Sequence, residues 1–387
     1  MKVAVISCFA DKNNYNRGNF IYEYFEKRNF NSYIIYSEFR HGSKKVIREN
    51  DKNWIPIETL AYTNNVSFKR LLSHIIFGIR AAKALKRLKP DIVYMAVPPN
   101  SVTYFAFKIA RKLGSKIIID IVDLWPESFP ISNKLKKLLS PFLKVWMKFR
   151  DDKLKYADAL MFECNLYKET IEKKNIINKN PHIIHLAKNK ITNFNPDFSS
   201  CIDDTLNICY LGSINLLIDI QLIIRILRDV SRQRKVRMHI IGIGNKKDYF
   251  LSQLKQNNID YIDYGAIYDE SEKNKVMNYC DFGINLYRDN TMIGLTYKSV
   301  DYFSAALPII NSIKADTWSF VEYNGVGINC YRDNYQTTVE RILNISNEEI
   351  SEMKKQAFEL YLNNFESSKV EVKIDKMLAT IVPKEIL

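Results

Sequence analysis

The feature that most constrains the fold is a repeated pattern of short, β-branched apolar runs separated by segments of helical length. In the first half of the chain the runs cover residues 3–7, 33–37, 91–97, 116–123, 159–164 and 182–187. In the second half they cover residues 206–212, 237–244, 261–265, 282–286, 308–311 and 327–330. The runs lack polar alternation, which is typical of strands buried on both faces in parallel sheets. Two such series predict an α/β fold with two doubly wound domains.

Polar residues between the two series indicate where the chain divides. The 387 residues are too many for one ordinary core, and the polar segment 188–200 contains Pro196. We therefore expect an N-terminal domain at 1–187, a linker at 188–200 and a C-terminal domain at 201–366. Residues 367–387 begin with apolar side chains at helical spacing, and we expect them to pack back on the N-terminal domain.

Cysteine, histidine and hydropathy patterns argue against several classes of protein. The six cysteines are scattered without a CxxC pair, which disfavours a disulfide framework and a zinc site. His182 and His185 are three residues apart on a predicted strand and point to opposite faces, so no metal is predicted. Gly242 and Gly244 lack the third glycine of a dinucleotide fingerprint. Because no signal-peptide core or membrane-length apolar run occurs, we expect a cytoplasmic chain that does not cross a membrane.

The positive charge is concentrated in the first half of the chain. Residues 1–200 contain 35 Lys and Arg against 18 Asp and Glu, a net charge of +17, whereas the whole chain carries +14. This imbalance indicates an anionic partner for the first half, and nucleic acid, anionic lipid and a phosphorylated acceptor all satisfy it.

A basic, amphipathic segment at 132–156 lies within this half. Its helical spacing predicts one apolar stripe, flanked by lysines, that lies on an anionic membrane surface, and Pro141 is expected to split the helix. The alternative is a surface helix packed on the core. The stripe consists of Leu135, Leu138, Leu139, Phe142, Trp146 and Phe149.

The segment 116–128 reads KIIIDIVDLWPES, an apolar strand that runs directly into Asp123 before Trp125 and Pro126 force a turn. The carboxyl ends of strands in an open α/β sheet face the ligand crevice, so Asp123 and Glu127 are candidate site residues. In the alternative interpretation, Asp123 caps the next helix and Trp125 fills a gap in the core.

Several motifs in the same order along the chain resemble one enzyme family. They are DLWPES at 123–128, YLGS at 210–213, IIGIG at 240–244, CDFGI at 280–284, GLTYKSVDY at 294–302 and AALPII at 305–310. These segments are similar to the landmarks of the retaining glycosyltransferases of family four, bacterial enzymes that build capsule, O-antigen and exopolysaccharide units. The resemblance implies the GT-B fold, with two facing Rossmann-like domains, the first for the acceptor and the second for a nucleotide-sugar donor.

The strongest resemblance lies at 294–302, and its physical logic is consistent with donor binding. Gly294, Leu295 and Thr296 enter a predicted helix, whose free N–H groups and positive dipole end favour a diphosphate. Lys298 adds a cation, and the carboxylate of Asp301 matches the family's ribose-binding acid. The alternative is an ordinary capped helix with a solvated lysine.

The resemblance extends the candidate site to further positions. It implies that Asp123 orients the acceptor and that Lys298 stabilises the leaving group, as catalytic residues. It also assigns Gly212, Ser213, Gly242 and Ile267 to the donor nucleotide, and Gly18 and Asn19, with Asp123 and Glu127, to the acceptor side.

Departures from the family pattern concern the donor. The first acid of the family's Glu-x7-Glu pair is missing, since Ile293 stands there, or is displaced to Asp289. Asp301 is shorter than the usual Glu, Ala306 replaces a usual Gly, and residues 214–220 contain no basic side chain. The base and the sugar of the donor therefore stay open.

Together these observations predict a metal-independent, cofactor-independent retaining glycosyltransferase. The expected donor is a nucleoside-diphosphate sugar, and the expected acceptor is a lipid-linked saccharide of surface polysaccharide synthesis. The enzyme is expected at the inner face of the cell membrane, with an anionic membrane surface and no nucleic acid as partner. A nucleotide-sugar epimerase of the same fold and a non-catalytic basic binding protein are the alternatives.

Overall fold

The computed structural model describes residues 1–12, 16–64, 67–129, 131, 133–192, 194–200 and 205–383. The chain divides into two compact units. The N-terminal unit comprises Met1–Ala187 and Glu371–Leu387, and the C-terminal unit comprises Lys188–Val370. None of the described helices has the length and apolar character needed to cross a membrane. The five cysteines within the described ranges are buried, and Cys201 lies outside those ranges.

Parallel strands form the sheet of the N-terminal unit. They are β1 Lys2–Ile6, β2 Asn31–Ser37, β3 Trp54–Ile57, β4 Ile92–Val97, β5 Lys116–Ile121, β6 Ala159–Phe162 and β7 Pro181–Ile183. Their order is β3-β2-β1-β4-β5-β6-β7, so the winding reverses at β1, which pairs with β2 and β4. Ligands of open α/β sheets bind at the carboxyl ends of strands beside such a reversal.

Helices cover this sheet. They are α1 Arg17–Lys27, α2 Phe68–Leu88, α3 Asn100–Lys112, α4 Asn133–Leu138, α5 Ser140–Leu154 and α6 Asn165–Glu172. All six residues of β4 are buried, as expected of a strand covered on both faces.

The sequence pattern does not predict β3, and it overextends β7. Pro56 interrupts the apolar run of β3 and lacks the N–H needed for a central strand. It is tolerated there because β3 is the outer strand, paired with β2 alone. The predicted run 182–187 is longer than β7, which ends at Ile183.

The C-terminal unit repeats the doubly wound arrangement. Its strands are β8 Thr205–Leu211, β9 Lys235–Ile241, β10 Asp260–Gly265, β11 Phe282–Asn285, β12 Ile309–Asn311 and β13 Gly327–Asn329. They are parallel in the order β10-β9-β8-β11-β12-β13, with the reversal at β8. Its helices are α7 Ile220–Ser231, α8 Lys247–Gln256, α9 Glu270–Tyr279, α10 Tyr297–Ser304, α11 Asp316–Asn324, α12 Tyr335–Asn344 and α13 Asn347–Asn364.

The last helix, α14 Ser367–Leu378, begins in the C-terminal unit and ends in the N-terminal unit. The Tyr24 hydroxyl donates to Asp375 Oδ1 at 2.6 Å, and Arg28 Nη2 donates to Asp375 Oδ2 at 2.8 Å. Ile374 and Met377 are buried on the same helix. The last turns of α14 therefore pack against α1.

Helices α4 and α5 divide the basic segment predicted at 132–156, of which residue 132 lies outside the described residues. Leu138 and Phe142 are exposed, whereas Trp146 is buried and the Phe149 ring stacks on Tyr104 with centroids 4.2 Å apart. The N-terminal part of the expected stripe therefore reaches solvent, whereas its C-terminal part packs on the N-terminal unit. Pro141 lies in the first turn of α5, so the helix is split where the sequence predicts.

Candidate functional site

The loops after β8 and β9 approach each other closely at the carboxyl edge of the C-terminal sheet. Gly212 has φ +103°, and its N–H donates to the Ile241 carbonyl at 2.8 Å. A Cβ added to Gly242 would overlap the carbonyl oxygen of Gly212, so only glycine fits there. The structure therefore brings together Gly212 and Gly242, two of the predicted donor residues.

The predicted phosphate-binding segment forms a tightly capped helix start. The side chain of Thr296 accepts a hydrogen bond from Ser299 N at 3.1 Å, and the Gly294 carbonyl accepts from Thr317 N and Oγ1 at 2.9 and 2.7 Å. Leu295, which lies between Gly294 and Thr296 in the chain, is buried. This arrangement holds the positive end of α10 in one position relative to the sheet.

The Lys298 side chain is buried, in contrast to the solvated lysine of the alternative interpretation. Its Nζ lies 4.6 Å from the Tyr210 ring centroid and 4.7 Å from that of Tyr287, both within cation–π range. Burial lowers the pKa of Lys298 to about 7. The Tyr210 hydroxyl donates to the Ser213 carbonyl at 2.9 Å, so the same tyrosine contacts both Lys298 and the turn that contains Gly212 and Ser213.

Asp301 follows Lys298 by one helical turn and belongs to a cluster of charges. Lys188 Nζ forms an ion pair with Asp301 Oδ1 and lies 2.8 Å from Glu270 Oε2. Lys273 Nζ lies 3.9 Å from the same Asp301 oxygen. The carboxylate predicted to bind a ribose is therefore already engaged by a lysine. Ile267 lies in the partly exposed loop between β10 and α9.

An asparagine ladder, which the motif analysis missed, links α10 to the sheet. Asn285 Nδ2 donates to Asn311 Oδ1 at 3.1 Å, and Asn311 Nδ2 donates to Asn329 Oδ1 at 2.9 Å. Asn285 Nδ2 also lies 3.0 Å from Ser299 Oγ in the first turn of α10. The signal in the sequence is the dipeptide Ile-Asn, which ends β11, β12 and β13 alike.

In the N-terminal unit, the carboxylate of Asp123 organises its own loop. Its Oδ2 accepts from Trp125 Nε1 at 2.6 Å and its Oδ1 from Ser128 Oγ at 2.7 Å. Burial raises the pKa of Asp123 above its usual value. A carboxylate offers about four acceptor positions, so Asp123 keeps acceptor capacity for a further hydroxyl group.

The Glu127 side chain is held by an ion pair with α5. It receives two hydrogen bonds from Arg150, from Nη2 at 2.7 Å and Nη1 at 3.2 Å, and it also contacts Lys174. Burial opposes ionisation, but these two cations hold the pKa of Glu127 below its usual value. Because Arg150 is fully buried, this geometry anchors the loop that follows Asp123.

Gly18 and Asn19 stabilise the turn between β1 and α1. A Cβ on Gly18 would overlap the Ser7 side chain, and Asn19 Nδ2 donates to the Asp11 carbonyl at 2.5 Å. Their neighbour Arg17, which the motif analysis missed, forms a buried bidentate pair with Asp120.

A buried group of cationic and aromatic side chains surrounds Trp125. The Arg70 guanidinium lies 4.1 Å from the Trp125 ring centroid, and the His74 ring stacks on Trp125 at 5.6 Å. Phe9, which follows β1, packs edge-on against Trp125. The motif analysis missed this group. Its signal is a pair of polar residues, Arg70 and His74, four apart on the face of α2 that also carries buried Phe77.

Comparisons by sequence and by structure give different results. No protein-family profile matches the sequence, and curated protein sequences give no significant match. Solved structures do match over nearly the whole chain. Sucrose-phosphate synthase from Thermosynechococcus elongatus has a TM-score of 0.76 at 10% identity and covers 98% of each chain.

Two further structures give similar values. The lipopolysaccharide outer core galactosyltransferase WaaB has a TM-score of 0.68 at 15% identity, over 99% of this chain and 100% of its own. Anabaena HepE, in complex with UDP and glucose, has a TM-score of 0.67 at 11% identity, over 98% of this chain and 100% of its own. These proteins are similar in fold to this chain. Its two parallel-sheet α/β domains, of seven and six strands within the described residues, have the GT-B architecture predicted from the sequence.

Proposed function

We propose that this chain transfers a sugar from a nucleoside-diphosphate sugar to a lipid-linked saccharide. The observation that carries the proposal is the buried side chain of Lys298, which Tyr210 connects to the β8 turn at Ser213. An ammonium and the N-terminus of a helix are the groups that stabilise a diphosphate as it leaves. The binding of UDP and glucose by HepE, a protein of similar fold, supports a nucleotide-sugar donor.

The proposed reaction exchanges one bond at the anomeric carbon. The acceptor hydroxyl oxygen forms a bond to that carbon, the bond from the carbon to the diphosphate oxygen breaks, and the nucleoside diphosphate leaves with the electron pair. The released diphosphate oxygen takes the proton that the acceptor hydroxyl loses. Lys298 and the N–H groups at the start of α10 offset the developing negative charge. Asp123 orients the acceptor hydroxyl through its remaining acceptor positions. Retention of configuration and independence from metal and cofactor complete the proposal, on the basis of the family resemblance.

The proposed acceptor is held at the inner face of the cell membrane, in a pathway for surface polysaccharide. Exposed apolar side chains on α4 and α5, such as Leu138 and Val145, support this placement. Residues 131–150 contain six Lys and Arg and no Asp or Glu, a composition that favours an anionic lipid surface.

A panel of UDP-, GDP- and dTDP-sugars, with membrane lipid extract as acceptor, tests the proposed function. Release of a nucleoside diphosphate together with labelled sugar in the lipid fraction is the expected result. An isomerised nucleotide sugar would instead identify an epimerase, and absence of turnover with the whole panel would favour a binding protein. The Lys298→Met variant serves as the matched negative control, since it keeps the length of the side chain and removes the charge.

A further inference from the structure

A cavity of about 370 Å³ in the N-terminal unit lies outside the residues that the family resemblance assigns. Its apolar lining comes from α2, from α5 with its N-cap residue Leu139, and from the loop between β5 and α4. The lining includes Phe68, Leu71, Phe129, Leu139, Phe142 and Leu143. Phe68 is 76% exposed and Phe142 is 45% exposed, so these two rings mark an opening to solvent. The volume falls within the range of small-molecule binding sites.

Two buried polar atoms in the lining lack hydrogen-bond partners among the described residues. They are Nε2 of His74 and Nε1 of Trp146. The two side chains are 3% and 4% exposed, so water does not readily reach these atoms. Buried polar atoms without a partner are rare in folded proteins. Together with Ser67 and Arg70, these side chains are polar members of a mainly apolar lining, and a ligand group that shifts them slightly can supply the missing hydrogen bonds.

The charge of the cavity lining indicates that the hydrogen-bonding group of the ligand is an anion. Arg70 is the charged residue among the described side chains of the lining, and its guanidinium stacks on Trp125, also in the lining. An anion near this guanidinium is attracted strongly, because the surrounding apolar walls keep the local dielectric constant low. Lys144 is exposed on α5, which forms one side of the cavity, and Lys134 and Lys137 are exposed on the adjoining helix α4.

The same charges argue against a second copy of this chain as the occupant. A symmetric dimer brings identical surfaces together, so the exposed lysines of α4 and α5 would face the same lysines of the partner. A ligand with a long apolar part and an anionic group matches both the lining and the charge.

We propose that this cavity binds the hydrocarbon chain of a phosphate-bearing lipid carrier, with the phosphate beside Arg70 and His74. The inference rests on the proposed function, because the carrier would be that of the saccharide acceptor. The Trp125 indole, which stacks on His74, donates to the Asp123 carboxylate at 2.6 Å. A phosphate beside Arg70 and His74 therefore places the attached saccharide next to the loop of Asp123.

Binding of farnesyl phosphate, below its micelle concentration, tests the cavity without any sugar transfer. Calorimetry should show saturable binding of farnesyl phosphate, at least tenfold weaker binding of farnesol, and no binding of inorganic phosphate. The Leu143→Trp variant fills the cavity and should weaken farnesyl phosphate binding at least tenfold. Val145→Trp is the matched control, since Val145 lies on the same helix, is exposed and is not part of the lining.

Folding of each variant is checked by circular dichroism, and a photoreactive farnesyl phosphate applied to the unmodified protein provides a second measurement. Crosslinks on α2 and α5 are expected. Crosslinks elsewhere, equal affinity in Leu143→Trp, or equal affinity for farnesol would overturn the proposal. So would concentration-dependent dimerisation that Leu143→Trp abolishes, because the face would then be an interface between copies.

The two proposals fail in different ways. Farnesyl phosphate binding without turnover of any nucleotide sugar would remove the proposed function and leave the cavity assignment in place. Turnover of a nucleotide sugar onto a soluble saccharide, with no farnesyl phosphate binding, would remove the cavity assignment and the lipid-linked acceptor, and would leave sugar transfer from a nucleotide sugar in place.

Discussion

Lys188 forms an ion pair with Asp301, so the first residue of the C-terminal unit holds the carboxylate that the family resemblance assigns to a ribose. The same ammonium lies 2.8 Å from Glu270 Oε2. One Asp301 oxygen is thus engaged in charge neutralisation, and the carboxylate must share its acceptor positions with any bound nucleotide. The ion-pair role and the nucleotide role can be separated by substitution.

We predict that Asp301→Asn weakens binding of the preferred nucleoside diphosphate. Loss of a hydrogen bond to a charged group costs about 1.5–3 kcal/mol, which is roughly a tenfold to hundredfold change in affinity. Glu270→Gln is the control, because it removes the other acidic partner of Lys188 and leaves Asp301 intact. Calorimetry with UDP, GDP and dTDP measures the affinities. Equal losses in both variants would assign Asp301 to the ion-pair cluster instead of the ribose.

A second prediction concerns pH. Burial lowers the pKa of Lys298 to about 7 from 10.5, and a bound diphosphate raises it again by supplying a negative charge. Nucleoside diphosphate affinity should therefore be highest at about pH 7 and below, and should fall up to tenfold for each pH unit above it. Calorimetry in buffers of different ionisation enthalpy should show proton uptake on binding above pH 7. Lys298→Met should bind the nucleoside diphosphate more weakly, without this fall in affinity above pH 7 and without proton uptake.

Lys298 also affects stability, and this effect changes with pH in the direction opposite to the nucleotide affinity. Between pH 7 and 10.5 the unfolded chain binds more protons at Lys298 than the folded chain does. The contribution of Lys298 to the free energy of unfolding therefore rises with pH across this window and is constant below it. Urea denaturation at several pH values, followed by the fluorescence of the C-terminal unit, gives the free energy of unfolding. The contribution of Lys298 is the difference between this free energy in the unmodified protein and in Lys298→Met. A difference that does not change between pH 7 and 9 would contradict the lowered pKa.

We predict that Gly242→Ala disrupts the donor side. The added Cβ would overlap the Gly212 carbonyl oxygen, and backbone atoms cannot move aside as a flexible side chain can. Overpacking of this kind costs about 1–3 kcal/mol, and displacement of the β8 turn should also weaken nucleoside diphosphate binding. Gly42→Ala is the control, since an added Cβ there meets no atom within 4 Å. Thermal denaturation and calorimetry measure the two effects, and normal binding by Gly242→Ala would separate this turn from the nucleotide.

Patterns along the chain predict the two sheets because burial on both faces is visible in a single strand. The family resemblance assigns Gly212 and Gly242 to the donor side, but their close contact depends on how the loops after β8 and β9 pack and is known only from the structure. The ion pair of Glu127 with Arg150 could not be predicted, because the two residues are 23 positions apart and their pairing depends on how α5 packs. Local sequence shows that Glu127 is acidic, but the packing of α5 decides its partner.

The same limit applies to the apolar residues of α4 and α5. Helical spacing shows which side chains share a face, but it does not show which neighbouring element covers that face. Helix α3 covers Phe149 through Tyr104, whereas Leu138 stays exposed. For this reason the part of the segment that reaches solvent is known only from the structure.

The last prediction concerns the membrane. Leu138 and Val145 are 76% and 56% exposed, lie outside the cavity lining and are accompanied by exposed lysines, including Lys137 and Lys144. Anionic lipid attracts each basic residue near its surface by about 1 kcal/mol, and salt screens this attraction over about 8 Å at physiological ionic strength. Sedimentation with vesicles of graded anionic content should therefore show strong binding at low salt and weak binding at high salt.

Paired substitutions separate the two contributions to this binding. Leu138→Ser with Val145→Ser should weaken binding about tenfold and preserve its salt dependence, because the lysines remain. Lys137→Gln with Lys144→Gln should weaken binding at low salt and reduce that dependence. Neither pair should alter farnesyl phosphate binding in the cavity, as neither lines it. Equal recovery of the unmodified protein on neutral and anionic vesicles would contradict an electrostatic contribution, and the acceptor would then reach Asp123 without anionic lipid.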